Sequence, residues 1–217
     1  SPETTVLLAK NAGIAAVPTG IEHGTVTLIV QGQSFEITTF RKDVATDGRH
    51  AEITFSSDLN EDARRRDFTM NALYATADGT VVDPLDALDD LRAQRIRFIN
   101  DASQRIREDY LRILRFFRFS AWYGNKHVGF DAEALSAIAE NLAGLERLSK
   151  ERIGAEMMKL LAAPDPSPSI AAMRSSGVLQ NILVGADDRF LSVFLNLEIE
   201  NGLPSDPIGR LAVLGAQ

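Results

Sequence analysis

The stretch Arg105–Phe119, RIREDYLRILRFFRF, decides how the rest of the chain is read. At about 100° per residue it predicts one helix, with Tyr110, Ile113, Leu114 and Phe117 in an apolar stripe and Arg105, Glu108, Asp109, Arg112, Arg115 and Arg118 around the opposite half. Arg115 and Arg118 have no acid three or four residues on, where an ordinary surface helix pairs its arginines. From Arg92 to Arg118 there are eight arginines against Asp101, Glu108 and Asp109, in a chain of formal charge −7. Two readings are open, a solvated charged face and a face awaiting an anion.

Asp109 and Arg112 allow a sharper idea. A carboxylate only accepts hydrogen bonds and a guanidinium only donates them, so three residues apart on one helix face they set an acceptor beside a donor. Cytosine and adenine present an exocyclic amine next to a ring acceptor, whereas guanine and uracil present the reverse order. Such a pair would accept CTP and ATP and reject GTP and UTP. Arg115 and Arg118 could then hold phosphate through forked, charge-assisted bonds.

Outward from this stretch, 217 residues at 45% hydrophobic content suffice for real cores in one large domain or two small ones. No apolar run approaches a membrane span and no signal-peptide pattern is present, so no membrane partner is expected. The absence of cysteine excludes disulfides and thiolate metal sites and fits a cytoplasmic protein. The acidic total argues against a generally sticky nucleic-acid binder and confines RNA contact to local patches. Ser1-Pro2-Glu3, without an initiator methionine, and the ending at Leu214–Gln217 read as the middle of a longer protein.

Along the chain, Ser1 and Pro2 open a helix to about Asn11. A short apolar run at Ile14–Val17 and a turn at Pro18-Thr19-Gly20 follow. Thr25–Val30 and Phe35–Phe40 form a hairpin around Gly32, with Glu36 projecting from a sheet face. Arg41–Asp58, polar and carrying the turn signal Asp47-Gly48, reads as a mobile loop. Arg64–Arg66 between Asp62 and Asp67 is either a salt-bridged patch or a phosphate site. A second hairpin surrounds Asp78-Gly79, a short helix carries Asp89 and Asp90 as surface acids, and Arg95–Ile99 is one further strand. From Asp101 the pattern is helical, with helices at Ala132–Leu142, Leu148–Leu161, Ile170–Met173, Val178–Val184 and Phe190–Ile199. The composition change near Asn100 gives three parts: a head at 1–100, a neck at 101–163 and the start of a body at 164–217. His23, His50 and His127 have no ligand-like spacing, and no Walker A loop, GxGxxG or GxSxG occurs.

Four segments in order, RRDFTMNAL at Arg65–Leu73, the DP…DL element at Asp83–Leu91, EDYLRILRFFRF at Glu108–Phe119 and SKERIGAEMMKLL at Ser149–Leu161, resemble motifs B to E of the bacterial tRNA nucleotidyltransferase/poly(A) polymerase family, the class II CCA-adding enzymes. PTGIEHGTVT at Pro18–Thr27 and FEITTFR at Phe35–Arg41 resemble its head. The resemblance implies an α+β fold: a partial DNA polymerase β-like nucleotidyltransferase head, mixed sheet plus helices, followed by an all-α neck and body that hold tRNA. It implies addition of CMP, CMP and AMP to the tRNA 3′ end from ATP and CTP without a nucleic-acid template. Residue by residue, Asp109 and Arg112 match the base-reading pair. Arg66, Arg115 and Arg118 match nucleotide contacts, and Asp67 and Asn71 shape the ribose and triphosphate site. Arg152 and Glu156 support the neck, and Glu36 resembles the third catalytic carboxylate. The family's glycine-rich element and its Asp-x-Asp pair for two Mg²⁺ ions would precede Ser1, so Mg²⁺ is expected to be bound mainly by residues absent from this chain. The 217 residues alone are then expected to bind nucleotide weakly at most. Alternatives are a poly(A) polymerase of the same family, a split system with separate C- and A-adding enzymes, and a non-catalytic RNA-binding module.

Overall fold

The structure, a computed structural model, describes residues 1–46 and 51–215. It is α+β and divides into two compact units, Ser1–Arg66 and Asp67–Gln217.

In the first unit, α1 (Pro2–Asn11) starts where the Ser1 hydroxyl accepts the Thr4 N–H and Pro2 presets the first turn. It packs on a three-stranded antiparallel sheet ordered β1 (Ala15–Gly20), β2 (Thr25–Val30), β3 (Gln33–Thr38), with Ala9 and Val26 buried. Gln31 and Gly32 take φ of 51° and 79°, the positive pair that a tight two-residue hairpin turn requires. The run Ile14–Val17 and the expected turn at Pro18 together make β1. The register shifts between Val17 and Gly20, and an edge position with a bulge is where a strand tolerates proline.

The expected loop at Arg41–Asp58 is corrected. β4 (Arg41–Thr46) and β5 (Ala51–Phe55) pair antiparallel, and the Asp47-Gly48 turn signal lies outside the described residues. The strand signal was there in β5, where Ala51, Ile53 and Phe55 alternate with Glu52 and Thr54, but the polar run of β4 before it carries little of it. α2 (Leu59–Arg64) follows, its first turn capped by the Asp58 carboxylate.

The second unit opens with a 3₁₀ turn at Thr69–Ala72 and a short hairpin of β6 (Tyr74–Ala75) and β7 (Val81–Val82) around Gly79. The Asp83 carboxylate accepts the N–H groups of Ala87 and Leu88 at 2.8 Å, leading into α3 (Leu88–Arg92). Asp90 is no surface acid: it is buried against the Thr69 hydroxyl at 2.8 Å and Arg97 Nε at 2.9 Å. Arg95–Ile99 does not form a strand. It makes one isolated bridge, Phe68 to Phe98, and otherwise passes extended beside Asp67–Thr69.

The expected single helix is two, α4 (Ala102–Glu108) and α5 (Leu111–Tyr123), with Asp109 between them in extended backbone at φ −154° and ψ 107°. Neither glycine nor proline marks this break. Tyr110 packs so closely on Gly144 that an added Cβ there would lie 1.9 Å from its ring. The helices α6 (Ala132–Glu140), α7 (Lys150–Leu161), α8 (Ser167–Ser175), α9 (Val178–Ile182), α10 (Leu191–Glu200) and α11 (Pro207–Val213) complete the unit. Arg210, buried against Glu198 at 2.6 Å and the Ala163 carbonyl at 2.7 Å, ties α11 to α10 and to the end of α7.

The first compact unit ends at Arg66, and Phe68 and Phe98 belong to the helical core of the second. Their ring centroids are 5.0 Å apart, and Phe98 stacks on Phe116 at 5.8 Å. Asp67 locks the same segment to α5: Oδ2 accepts Arg115 Nε at 2.6 Å, while Oδ1 accepts the Phe68 N–H and Asn71 Nδ2. Burial pushes the Asp67 carboxyl up, but the Arg115 charge and these hydrogen bonds outweigh it and hold the group below its ordinary value.

Phe116→Ala is expected to cost about 3–5 kcal/mol of stability by denaturant titration, whereas Leu8→Ala, at a position 62% exposed, should stay within about 0.5 kcal/mol. A depressed folded-state pKa contributes stability above the unfolded value and loses it as pH falls through the folded one. The stability gap between the unsubstituted protein and Asp67→Asn should therefore be widest at neutral pH and close as pH drops below about 4. A gap that stays constant from pH 7 to pH 3 would contradict the ionised lock.

Candidate functional site

The polar face of α5 is positioned by its opposite side. Ile113, Leu114, Phe116 and Phe117 are at most 1% exposed, so neither rotation nor sliding of the helix is available without opening the core. Arg112, Arg115 and Arg118 step along the other side at three-residue intervals, and each meets a carboxylate from a different segment. Arg112 Nη1 donates to Glu108 Oε2 at 2.6 Å and to the Arg105 carbonyl at 2.7 Å. Glu108 also accepts from Arg105. Arg115 is held by Asp67, and Arg118 Nε donates to buried Glu156 on α7 at 2.6 Å. Lys159 Nζ stands 3.6 Å from the other Glu156 oxygen.

The expectation that Arg115 and Arg118 lack partners is therefore corrected. Their acids lie 48 and 38 residues away in sequence, beyond any helical spacing rule. Both guanidinium groups also lie over the Phe119 ring, at 5.3 and 4.4 Å from its centroid. A guanidinium has five donors, so a carboxylate at Nε fixes its plane without exhausting it. The result is a pair of oriented cations, 31% and 14% exposed, on a rigid support.

Asp109 and Arg112 are not three residues apart on one helix. Asp109 precedes α5, its carbonyl accepting the Arg112 N–H at 3.0 Å and its Oδ1 accepting the Leu111 N–H at 3.1 Å. Asp109 Oδ2 accepts Arg152 Nη2 from α7 at 2.8 Å. The acid and the guanidinium thus keep separate partners, Arg152 and Glu108. Asp109 stays 31% exposed and Arg112 14%.

The structure gathers Asp67, Asn71, Arg115, Arg118 and Glu156 into one hydrogen-bonded and aromatic cluster around Phe119. Arg66 and Glu36 belong to the first unit. Arg66 Nη2 pairs with buried Asp62 at 2.8 Å, the salt-bridged reading of the arginine run. Glu36 is exposed on β3 opposite Thr27 of β2. Sequence reasoning left Glu108 without a role, although its position four residues before Arg112 was the available signal. Glu108, Asp67 and Glu156 are the acids that orient the arginines of α5.

Among the described residues no group of three or more His, Cys, Asp or Glu side chains is gathered as a metal site requires, and Glu36 brings a single carboxylate. The residues present do not by themselves fit Mg²⁺. Among the described residues no helix is long and apolar enough to cross a membrane.

A sequence model described as the poly A polymerase head domain matches residues 2–97, and one described as the probable RNA and SrmB-binding site of polymerase A matches residues 129–189. The chain is 41% identical over 209 residues to the CCA tRNA nucleotidyltransferase 1, mitochondrial, of Mus musculus, covering 94% of this chain and 48% of that protein. It is 44% identical over 157 residues to the CCA-adding enzyme of Leuconostoc citreum, covering 71% and 38% respectively. The crystal structure of Bacillus stearothermophilus CCA-adding enzyme in complex with CTP is 31% identical and superposes with a TM-score of 0.70 over 84% of this chain and 43% of that one. The chain thus spans about half or less of the length of these relatives. With head and RNA-binding segments matched in order, and motifs B to E on the elements just described, the chain belongs to the tRNA nucleotidyltransferase/poly(A) polymerase family.

Proposed function

We propose that the intact protein is a CCA-adding tRNA nucleotidyltransferase, transferring CMP, CMP and AMP to a tRNA 3′ end with side chains in place of a template strand. The observation that carries this reading is a carboxylate and three guanidinium groups, Asp109, Arg112, Arg115 and Arg118, set on and just before one helix whose other side is locked in the core. The names of the Mus musculus and Leuconostoc citreum relatives support it.

In this reading Asp109 accepts the exocyclic amine of cytosine or adenine and Arg112, held by Glu108, donates to the neighbouring ring nitrogen. Arg115 and Arg118 contact the nucleotide's phosphates, where a carboxylate partner keeps each guanidinium aimed while it waits. Asp67 and Asn71, joined by a hydrogen bond, border the ribose and triphosphate. Glu36 is assigned the part of a catalytic carboxylate. A reducing compartment such as the cytoplasm is part of the proposal and rests on the lack of cysteine.

A second reading, a poly(A) polymerase that adds only AMP, is favoured by the description of the head-domain match. Full-length protein given a tRNA without its CCA end and one nucleotide at a time separates the two. CTP should be incorporated first and ATP only after two cytidines, whereas use of ATP but never CTP would establish the second reading. Under the template assignment, Asp109→Ala should weaken CTP and ATP binding by about 1–3 kcal/mol in equilibrium titration, with the unfolding midpoint little changed. Unaltered affinity would remove Asp109 from base reading.

A further inference from the structure

The contact between Arg152 and Asp109 is unlike the other ion pairs of the site. Glu108, Asp67 and Glu156 each orient an arginine of α5; here an arginine from α7 orients an acid. Arg152 is the third residue of α7, in the first turn of a helix that begins after the Ser149 cap. A cation there sits at the positive end of the helix dipole, where an acid would be favoured. The position is unfavourable for α7 itself, so its favourable interaction lies across the gap, with Asp109.

The geometry explains what that interaction does. Asp109 sits in extended backbone between two helices, and a carboxylate there can turn about its side-chain bonds. Two bonds stop it: Oδ1 is fixed by the Leu111 N–H at 3.1 Å and Oδ2 by Arg152 Nη2 at 2.8 Å. Ionised carboxylate oxygens offer about four lone-pair sites, so two fixed bonds leave acceptor capacity facing outward. On the other side of the break Tyr110, against Gly144 and beneath the Arg147 guanidinium at 5.5 Å, keeps the backbone from following any movement of the side chain.

We propose that Arg152 is a specificity-determining positioning residue: it holds the Asp109 carboxylate in one orientation, so that the site presents an acceptor beside the Arg112 donor in a fixed order. The inference rests on the base-reading role of Asp109 proposed above. It assigns Arg152 a part in choosing the base, beyond bracing the helices. Without Arg152 the Asp109 carboxylate turns, and the order of acceptor and donor that excludes uracil and guanine is blurred while the fold persists.

The test measures kcat/KM of the full-length enzyme for CTP and for UTP on a tRNA lacking its CCA end, for the unsubstituted protein, Arg152→Ala, Arg152→Lys and Asp109→Asn. Arg152→Ala should lower the CTP-over-UTP ratio by about tenfold, and Arg152→Lys, which keeps the charge and one donor, should recover part of it. If Arg152→Ala does not fold, Arg152→Gln, neutral and too short to reach the Asp109 carboxylate as Nη2 does, replaces it with the same expected loss. An unchanged ratio in the Arg152 variants, even with lower overall activity or a lower Tm, overturns the inference. Should Asp109→Asn change the ratio while the Arg152 variants do not, the base-reading assignment stands and only the positioning role is lost. Should Asp109→Asn leave it unchanged as well, that assignment falls too.

Discussion

The packing of the apolar side of α5 is the constraint on which the second unit depends. Phe116 and Phe117 are fully buried, Phe116 stacks on Phe98, and Phe68 closes the group from the segment that begins the unit. Aromatic side chains bury large areas in restricted geometries, so this cluster fixes the rotation of α5 about its axis as well as its place. Every polar residue on the helix inherits that orientation. A site assembled on such an element needs only local bonds to finish it, and α5 has them at Arg112, Arg115 and Arg118.

Charge explains the form those local bonds take. Eight arginines between Arg92 and Arg118 would repel one another in a fold that offered them nothing. Arg105, Arg112, Arg115 and Arg118 meet carboxylates that are mostly shielded from water, where an unpaired charge on either side would be costly. Each guanidinium is oriented before any ligand arrives, which lowers the ordering cost of binding an anion. The compensation is also a restraint: an arriving phosphate must share each arginine with its acid, which favours a ligand carrying several negative charges over one carrying a single charge.

How much of this the sequence made legible depends on the range of the interaction. The helices α6, α7, α9 and α10, the caps at Ser1 and Ser149 and the hairpins at Gly32 and Gly79 follow from local spacing and turn chemistry and were readable, whereas α11 was not expected. The break at Asp109 was not readable, because Tyr110 continues the apolar stripe, and its close neighbour Gly144 lies far along the sequence. Nor were the partners of Arg115 and Arg118, whose acids come from Asp67 and Glu156 through tertiary folding. The hairpin at Arg41–Phe55 escaped because the polar β4 segment hid the alternation of Ala51, Ile53 and Phe55 in β5, and the place of Phe68 in the helical core escaped because it lies in a polar-looking stretch. The candidate site residues themselves were legible as types in a pattern; their mutual bonds were not.

The broken helix changes the meaning of the acid at its centre. On one continuous helix Asp109 and Arg112 would be neighbours by period alone, and any pair so spaced would do. As built, Asp109 ends α4, caps the N–H of Leu111 and receives Arg152, while Arg112 leans back on Glu108. Two polar groups of opposite character are thereby each given a partner of their own. Acceptor and donor remain separately available only because each is already satisfied by something else. A fixed acceptor beside a fixed donor is the minimum arrangement that can distinguish the hydrogen-bonding edge of one base from its reverse, and the base-reading role proposed for Asp109 and Arg112 would need the helix break together with the two ion pairs.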